Sequence, residues 1–185
     1  MPHRLIFVCR CETENDRIRT QNKLLPVKKK LKERDTLTYG GATTATLLAS
    51  ALIKVYSRKP RLYLPSNVTI QSVQSDPGSL QTAKVIAESF NREHGNHDFK
   101  DEGTFDELLK TTGSTIVVLP PDEYRTVLDN FIQDLDFEMY TGAYSYFDFD
   151  SQKFNQYKFH SINDISYMES TAYPIEWKPA KVQSK

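Results

Sequence analysis

Two short runs, Leu5-Ile6-Phe7-Val8 and Ile116-Val117-Val118-Leu119, constrain the fold of this chain more than any other feature. Each is apolar without interruption and rich in β-branched or aromatic residues, the pattern of a buried strand. A strand with one wet face would alternate. An unbroken run is covered on both faces, as the central strands of a parallel sheet are. The chain is therefore expected to be α/β. The first run passes into a polar segment, Cys9-Arg10-Cys11-Glu12-Thr13-Glu14-Asn15-Asp16. Functional loops in α/β folds lie just beyond the carboxyl ends of strands, so Arg10 and its neighbours should reach that rim.

The other elements follow from local patterns. Residues 17–34 lack helical periodicity, contain Pro26, and carry Lys23, Lys28, Lys29, Lys30, Lys32 and Arg34. They are expected to form a loop with a short helical turn, either a solvated surface or a basic patch for an anionic partner. A helix is predicted from 35 to about 56, with Leu47, Leu48, Leu52 and Val55 on one face. Residues 68–73 alternate as a strand. Ser75-Asp76-Pro77 then starts a helix, with Asp or Ser as cap and Pro in the first turn. Residues 91–104 are expected to be a loop, with His94 and His97 solvated rather than metal-binding because no further ligand stands at suitable spacing. A short helix over 104–110 follows. After the strand at 115–119, a helix running to about 135 should bury Val127, Leu128, Phe131 and Ile132. Residues 144–149 and 155–161 suggest a hairpin.

With 185 residues the chain can hold one sizeable core. Lys+Arg and Asp+Glu are equal at 24 each, so any basic surface must be local. Nucleic acid is not indicated beyond Lys28, Lys29, Lys30 and Lys32. No apolar stretch reaches membrane-spanning length, and no membrane partner is expected. With no leader pattern at the start, the cytoplasm or nucleus is the expected location. The two cysteines, Cys9 and Cys11, do not form a disulfide framework.

The motifs together resemble the histidine phosphatase (phosphoglycerate mutase-like) superfamily, and within it the branch of the T-cell-signalling suppressor phosphatase domains. That superfamily follows its first strand with Arg-His-Gly-Glu-Thr-x-x-Asn. In one register Glu12 and Thr13 match and Asp16 stands at the Asn position, while Cys9, Arg10 and Cys11 replace Arg, His and Gly. In the branch's own form, Phe-Val-Cys-Arg-His-Gly-Glu-Arg-x-Asp, Phe7, Val8, Cys9, Arg10 and Asp16 match and Cys11 replaces the histidine. Leu37, Thr38, Gly41 and Ala45 match Leu-Thr-x-x-Gly-x-x-Gln-Ala. Gln81-Thr82-Ala83 matches Gln-Thr-Ala, but Gly78 stands where an arginine precedes it. The family's second histidine is Pro120, followed by Pro121, and Arg125 keeps the offset of a later arginine. Residues 144–164 resemble the family's closing hairpin and Asn-Asp.

The resemblance implies a three-layer α/β/α domain with a mostly parallel sheet over residues 1–164, and a C-terminal extension over 165–185. In that family a histidine attacks phosphorus, arginines and a second histidine hold the equatorial oxygens, and a carboxylic acid protonates the leaving group. At Cys9, Arg10, Cys11, Gly78 and Pro120 this chain departs from the pattern. The resemblance thus implies a domain without turnover, with no cofactor and no metal, acting through protein partners or a second copy of itself. Tyr173 and Trp177 are candidate contacts in the extension. Two alternatives stay open. One is a divergent phosphatase using Cys11, which with Arg17 has Cys-x5-Arg spacing, although Glu12, Glu14 and Asp16 between them oppose phosphate. The other is a non-catalytic anion sensor built on Arg10 and Lys28–Lys32. For Arg10 itself, an internal ion pair with Glu12 and Glu14 is the expectation. Cys9 and Cys11 should share one face of a continuing strand.

Overall fold

The structure, a computed structural model, describes residues 4–58, 68–73, 75–90, 94–97, 115–131, 142, 144–148, 153–159 and 168–171. Among these, the strands are β1 (Arg4–Cys9), β2 (Thr69–Val73), β3 (His94–His97), β4 (Thr115–Leu119), β5 (Tyr144–Asp148), β6 (Lys153–Phe159) and β7 (Met168–Thr171). The helices are α1 (Glu14–Leu24), α2 (Tyr39–Arg58), α3 (Pro77–Phe90) and α4 (Pro121–Phe131). The strands form one sheet in the order β3-β2-β4-β1-β5-β6-β7. Pairing is parallel from β3 to β1 and antiparallel from β1 onward.

The two apolar runs are neighbours at the centre. Ile6 pairs with Ile116, Val8 with Val118, and Cys9 with Leu119. Ile6, Val8, Ile70, Ile116 and Val118 pack on Ala45, Leu48, Ala49 and Leu52 of α2 and Ala83, Ile86 and Ala87 of α3. On α2 the buried residues recur at three- and four-residue steps, the stripe that aims a helix at a core. Leu5, Phe7, Val117 and Leu119 alternate with that set and are equally buried, with α4 and its buried Tyr124 against β1. Both faces are covered, which is why these strands can be apolar throughout. The predicted strands at 68–73 and 115–119 and the start of α3 are present, and the two strands of the expected hairpin pair antiparallel as Tyr144–Asp148 and Lys153–Phe159.

Four expectations are corrected. Where 17–34 were expected to form a loop with a short helical turn, residues 14–24 form a helix of three turns, because Thr13 caps it: its side chain accepts from Asp16 N–H while the Asp16 carboxylate accepts from Thr13 N–H. Residues 35–38 precede α2 rather than opening it, and Thr38 Oγ1 accepts from Gly41 N–H at 2.8 Å. His94–His97 is a strand, paired in parallel with β2; edge pairing overrides its polar composition. The sheet also takes in residues of the supposed tail: Met168–Thr171 pairs antiparallel with β6. The predicted helix over 104–110, residues 132–135, and the tail aromatics Tyr173 and Trp177 lie outside the described residues.

Candidate functional site

The site is built where β1 ends. Arg10 N–H donates to Leu119 C=O at 2.8 Å, one step past the β1–β4 register. There the strand stops, so Cys11 lies beyond it rather than on a shared strand face with Cys9. The chain turns under α3, and Cys11 N–H donates to Thr82 Oγ1 at 3.2 Å. Gly142, buried with φ of 81°, donates its N–H to Cys9 C=O at 3.1 Å; its left-handed backbone suits glycine. Thr38 N–H donates to Glu12 C=O at 3.0 Å. Gly41 sits over that same carbonyl, where a Cβ would come within 2.1 Å of the oxygen. Gln81 Oε1 accepts from Leu37 N–H at 3.0 Å. Thus Thr13, Thr38, Gly41, Gln81 and Thr82, all positions of motif agreement, fasten the rim segments to one another.

Arg10 lies at the centre, 4% exposed. Its Nη1 and Nη2 donate to the two carboxylate oxygens of Asp16, the latter at 3.1 Å, and Nη1 also donates to Cys11 C=O at 3.2 Å. Its Nε lies 3.0 Å from Asp76 Oδ2 without the alignment of a hydrogen bond, so that contact is an ion pair only. Asp76 is fixed in turn as the cap of α3, accepting from Ser79 N–H at 2.7 Å and Ser79 Oγ at 2.6 Å. The expected ion pair of Arg10 therefore exists with other partners. Glu14 instead meets Arg17 at 2.6 Å and Lys32 at 3.4 Å, and Glu12 lies 3.5 Å from Thr38 Oγ1. The capping box is what turns Asp16, rather than Glu12 or Glu14, toward Arg10.

Gly78 completes the cluster. A Cβ there would stand 2.7 Å from Arg10 Cδ, 3.1 Å from Arg10 Nε and 2.6 Å from Thr13 Cγ2. The space that a side chain at 78 would need is filled by Arg10 and Thr13. Pro120 follows β4 half-buried, its C=O accepting from Tyr124 N–H at 2.9 Å, and Pro121 opens α4, where a missing N–H costs nothing. Arg125 is exposed on α4. Arg10, Cys11 and Gly78 are thus brought together, with Pro120 beside them at the end of the neighbouring strand.

The electrostatics are those of a closed ion cluster. Burial alone would raise the Asp16 pKa, but bonds from Arg10 and Thr13 more than reverse this and hold the carboxyl below its ordinary value. Burial opposes the charge on Arg10, and Asp16 and Asp76 outweigh it, so the guanidinium pKa is raised further. Burial pushes both thiols up to about 12; for Cys11 the Thr82 hydroxyl and Arg10 only partly oppose this. At neutral pH both are therefore thiols, which are poor nucleophiles.

From Thr13 on, the loop after Cys11 has its backbone donors occupied. The N–H groups of Thr13, Glu14, Asn15, Asp16 and Arg17 bond to Asp16 Oδ2, Thr36 C=O, Asp35 Oδ1, Thr13 Oγ1 and Thr13 C=O. A phosphate cradle needs such groups aimed at the ligand. Sequence reasoning missed Asp16 and Asp76 as partners of Arg10. The Thr13-x-x-Asp16 spacing was a signal for the cap that positions the first.

No family model and no curated protein matches the chain in sequence. Solved structures do match. A candidate phosphohistidine phosphatase SixA of Agrobacterium tumefaciens is 14% identical with a TM-score of 0.55, over 80% of this chain and 92% of its own. The protein histidine phosphatase SixA complexed with tungstate is 11% identical with a TM-score of 0.54, over 77% and 86%. A phosphoglycerate mutase from Plasmodium falciparum is 12% identical with a TM-score of 0.51, over 92% and 99%. The fold is accordingly the histidine phosphatase or phosphoglycerate mutase-like α/β fold.

Proposed function

We propose that this chain is a non-catalytic member of that structural group, a domain that acts by binding other proteins rather than by transferring phosphate. The observation that carries this reading is the Arg10 cluster. The resembled enzymes need a nucleophile and several cations facing an open phosphate position. Here the buried cation is turned onto Asp16 and Asp76, packed across Gly78, and the neighbouring thiols stay protonated. One preorganised donor is typically worth about 2–4 kcal/mol in the transition state, so the loss of several would leave little rate enhancement. The same cluster weighs against Arg10 as an anion sensor, because two acids already surround it.

The test is an assay of the purified chain on p-nitrophenyl phosphate and on a phosphohistidine peptide. No turnover above buffer is expected. Turnover abolished by Cys11→Ser would instead establish a cysteine enzyme. For partners, affinity capture with the full chain should retain a defined protein, or light scattering should show a dimer. The pair Tyr173→Ala and Trp177→Ala is a better probe of the extension than its deletion, which would remove β7.

A further inference from the structure

We propose that the tip at the end of α1, with the cations behind it, docks on an anionic lipid bilayer. Leu24, Leu25, Pro26 and Val27 form the tip, and Leu24 and Val27 are 84% and 78% exposed. Side chains this exposed protrude, so they suit insertion into something soft. Residues 23–34 carry six cations (Lys23, Lys28, Lys29, Lys30, Lys32 and Arg34) and one acid, Glu33, on a chain whose net charge is zero. All of these side chains are exposed. Lys28 and Lys29 reach neutral acceptors, Asn22 C=O and Gln21 Oε1, while Lys32 lies 3.4 Å from Glu14. Charge is therefore gathered directly behind an apolar point.

The tip is also held ready. Asn22 Nδ2 donates to Lys29 C=O at 2.8 Å, and Asn22 Oδ1 accepts from Lys29 N–H at 2.7 Å. Two turns earlier on the same helix, Asn15 makes the same pair of bonds with Lys32, at 3.0 and 2.8 Å. These two clamps run the segment back along α1 and leave its side chains pointing outward. Preorganisation lowers the entropy lost on docking. They also occupy backbone groups that an added peptide strand would need.

The chemistry favours lipid over the other polyanions. Nucleic-acid backbones attract lysines but offer nothing to Leu24 and Val27. Protein interfaces are depleted in lysine. A bilayer accepts both features: apolar side chains enter at the acyl boundary while cations stay among the headgroup phosphates. This proposal departs from the expectation of no membrane partner, which rested on the lack of a stretch of spanning length. Among the described residues no helix is long and apolar enough to cross a membrane, and a peripheral contact needs none. The docking surface is independent of whether the domain hydrolyses phosphate.

The test is sedimentation of the full chain with phosphatidylcholine vesicles, with and without phosphatidylserine. Binding is expected only with phosphatidylserine and should weaken as salt is raised. The variant Lys28→Gln, Lys29→Gln, Lys30→Gln should lose roughly fivefold in affinity per lysine removed. The variant Leu24→Ser, Val27→Ser should lose about tenfold or more. Circular dichroism should be unchanged in both, since the altered side chains are exposed. Wild-type protein left in the supernatant with phosphatidylserine vesicles would overturn the proposal. So would binding indifferent to the Leu24 and Val27 changes, or capture of duplex DNA without vesicle binding.

Discussion

Replacing Arg10 by methionine keeps an unbranched apolar stem and removes the cation between Asp16 and Asp76, leaving Asp16 only the exposed Arg19 at 3.5 Å. The Arg10, Asp16 and Asp76 side chains are 5%, 20% and 21% exposed. Breaking a buried ion pair costs about 3–5 kcal/mol, and the partial exposure of both acids places this case near the lower end, about 3 kcal/mol. For a chain of this size that loss corresponds to a fall of about 6–12 °C in Tm. The pH dependence discriminates further. In the wild type the Asp16 pKa is held below its unfolded value, so its contribution is complete above about pH 4 and is lost as pH falls through the folded value. Arg10, whose pKa is raised, stays charged throughout this range. In the variant the Arg10 contribution is gone, and burial, which raises the Asp16 pKa, is opposed mainly by the two Thr13 bonds, so that pKa lies above its wild-type value. Protonation of Asp16 then costs the variant less than it costs the wild type. The stability difference should therefore be largest at neutral pH and shrink as the pH falls below about 4. Urea melts at a series of pH values measure it, and urea avoids the screening that guanidinium chloride would introduce. A difference that is constant with pH, or smaller than about 1 kcal/mol at neutrality, would refute the view that Arg10 serves these two acids.

Two further outcomes follow from the same geometry. Gly41→Ala would set a Cβ 2.1 Å from the Glu12 carbonyl oxygen, a backbone atom, so the start of α2 or the rim must move. A loss of about 2–3 kcal/mol is expected in urea melts, and an unchanged midpoint would mean that α2 does not press on the rim. Cys9 and Cys11 should react with iodoacetamide at neutral pH only as fast as the domain opens, because both are buried and pushed up to about 12. Mass spectrometry of native and denatured samples reads this directly. Rapid labelling of native Cys11 would restore it as a candidate nucleophile.

The centre of the fold was legible because its physics is local and repetitive. Residues 5–8 and 116–119 are apolar on both faces, and only a doubly covered sheet accepts that. Asp76 and Pro77 announced α3 through backbone chemistry confined to a few residues. Helix α1 was hidden because its apolar content is small; its cap, and not a hydrophobic stripe, defines where it begins. The strands β3 and β7 were hidden for the opposite reason. Nothing in His94-Gly95-Asn96-His97 or Met168-Glu169-Ser170-Thr171 favours a strand strongly, and each is recruited by an edge that a neighbouring strand offers.

The site divides along the same line. Every matching residue that fastens the rim acts through short contacts: Thr13 and Thr38 cap helices, Gly41 clears a carbonyl, and Gln81 and Thr82 hold passing backbone. Such roles need one residue type at one place, so they leave a pattern in the sequence. The fate of Arg10 depends instead on three distant stretches meeting. Asp16 is aimed by its cap, Asp76 by its own, and Gly78 leaves room for the guanidinium between them. Position 78 and position 10 are then coupled: an arginine at 78, as the resembled enzymes carry, would collide with the Arg10 stem and with Thr13. A side chain at 78 cannot be placed without moving Arg10 or Thr13. Arg10 and Gly78 are thus one packing solution, and a larger side chain at 78 should destabilise the domain.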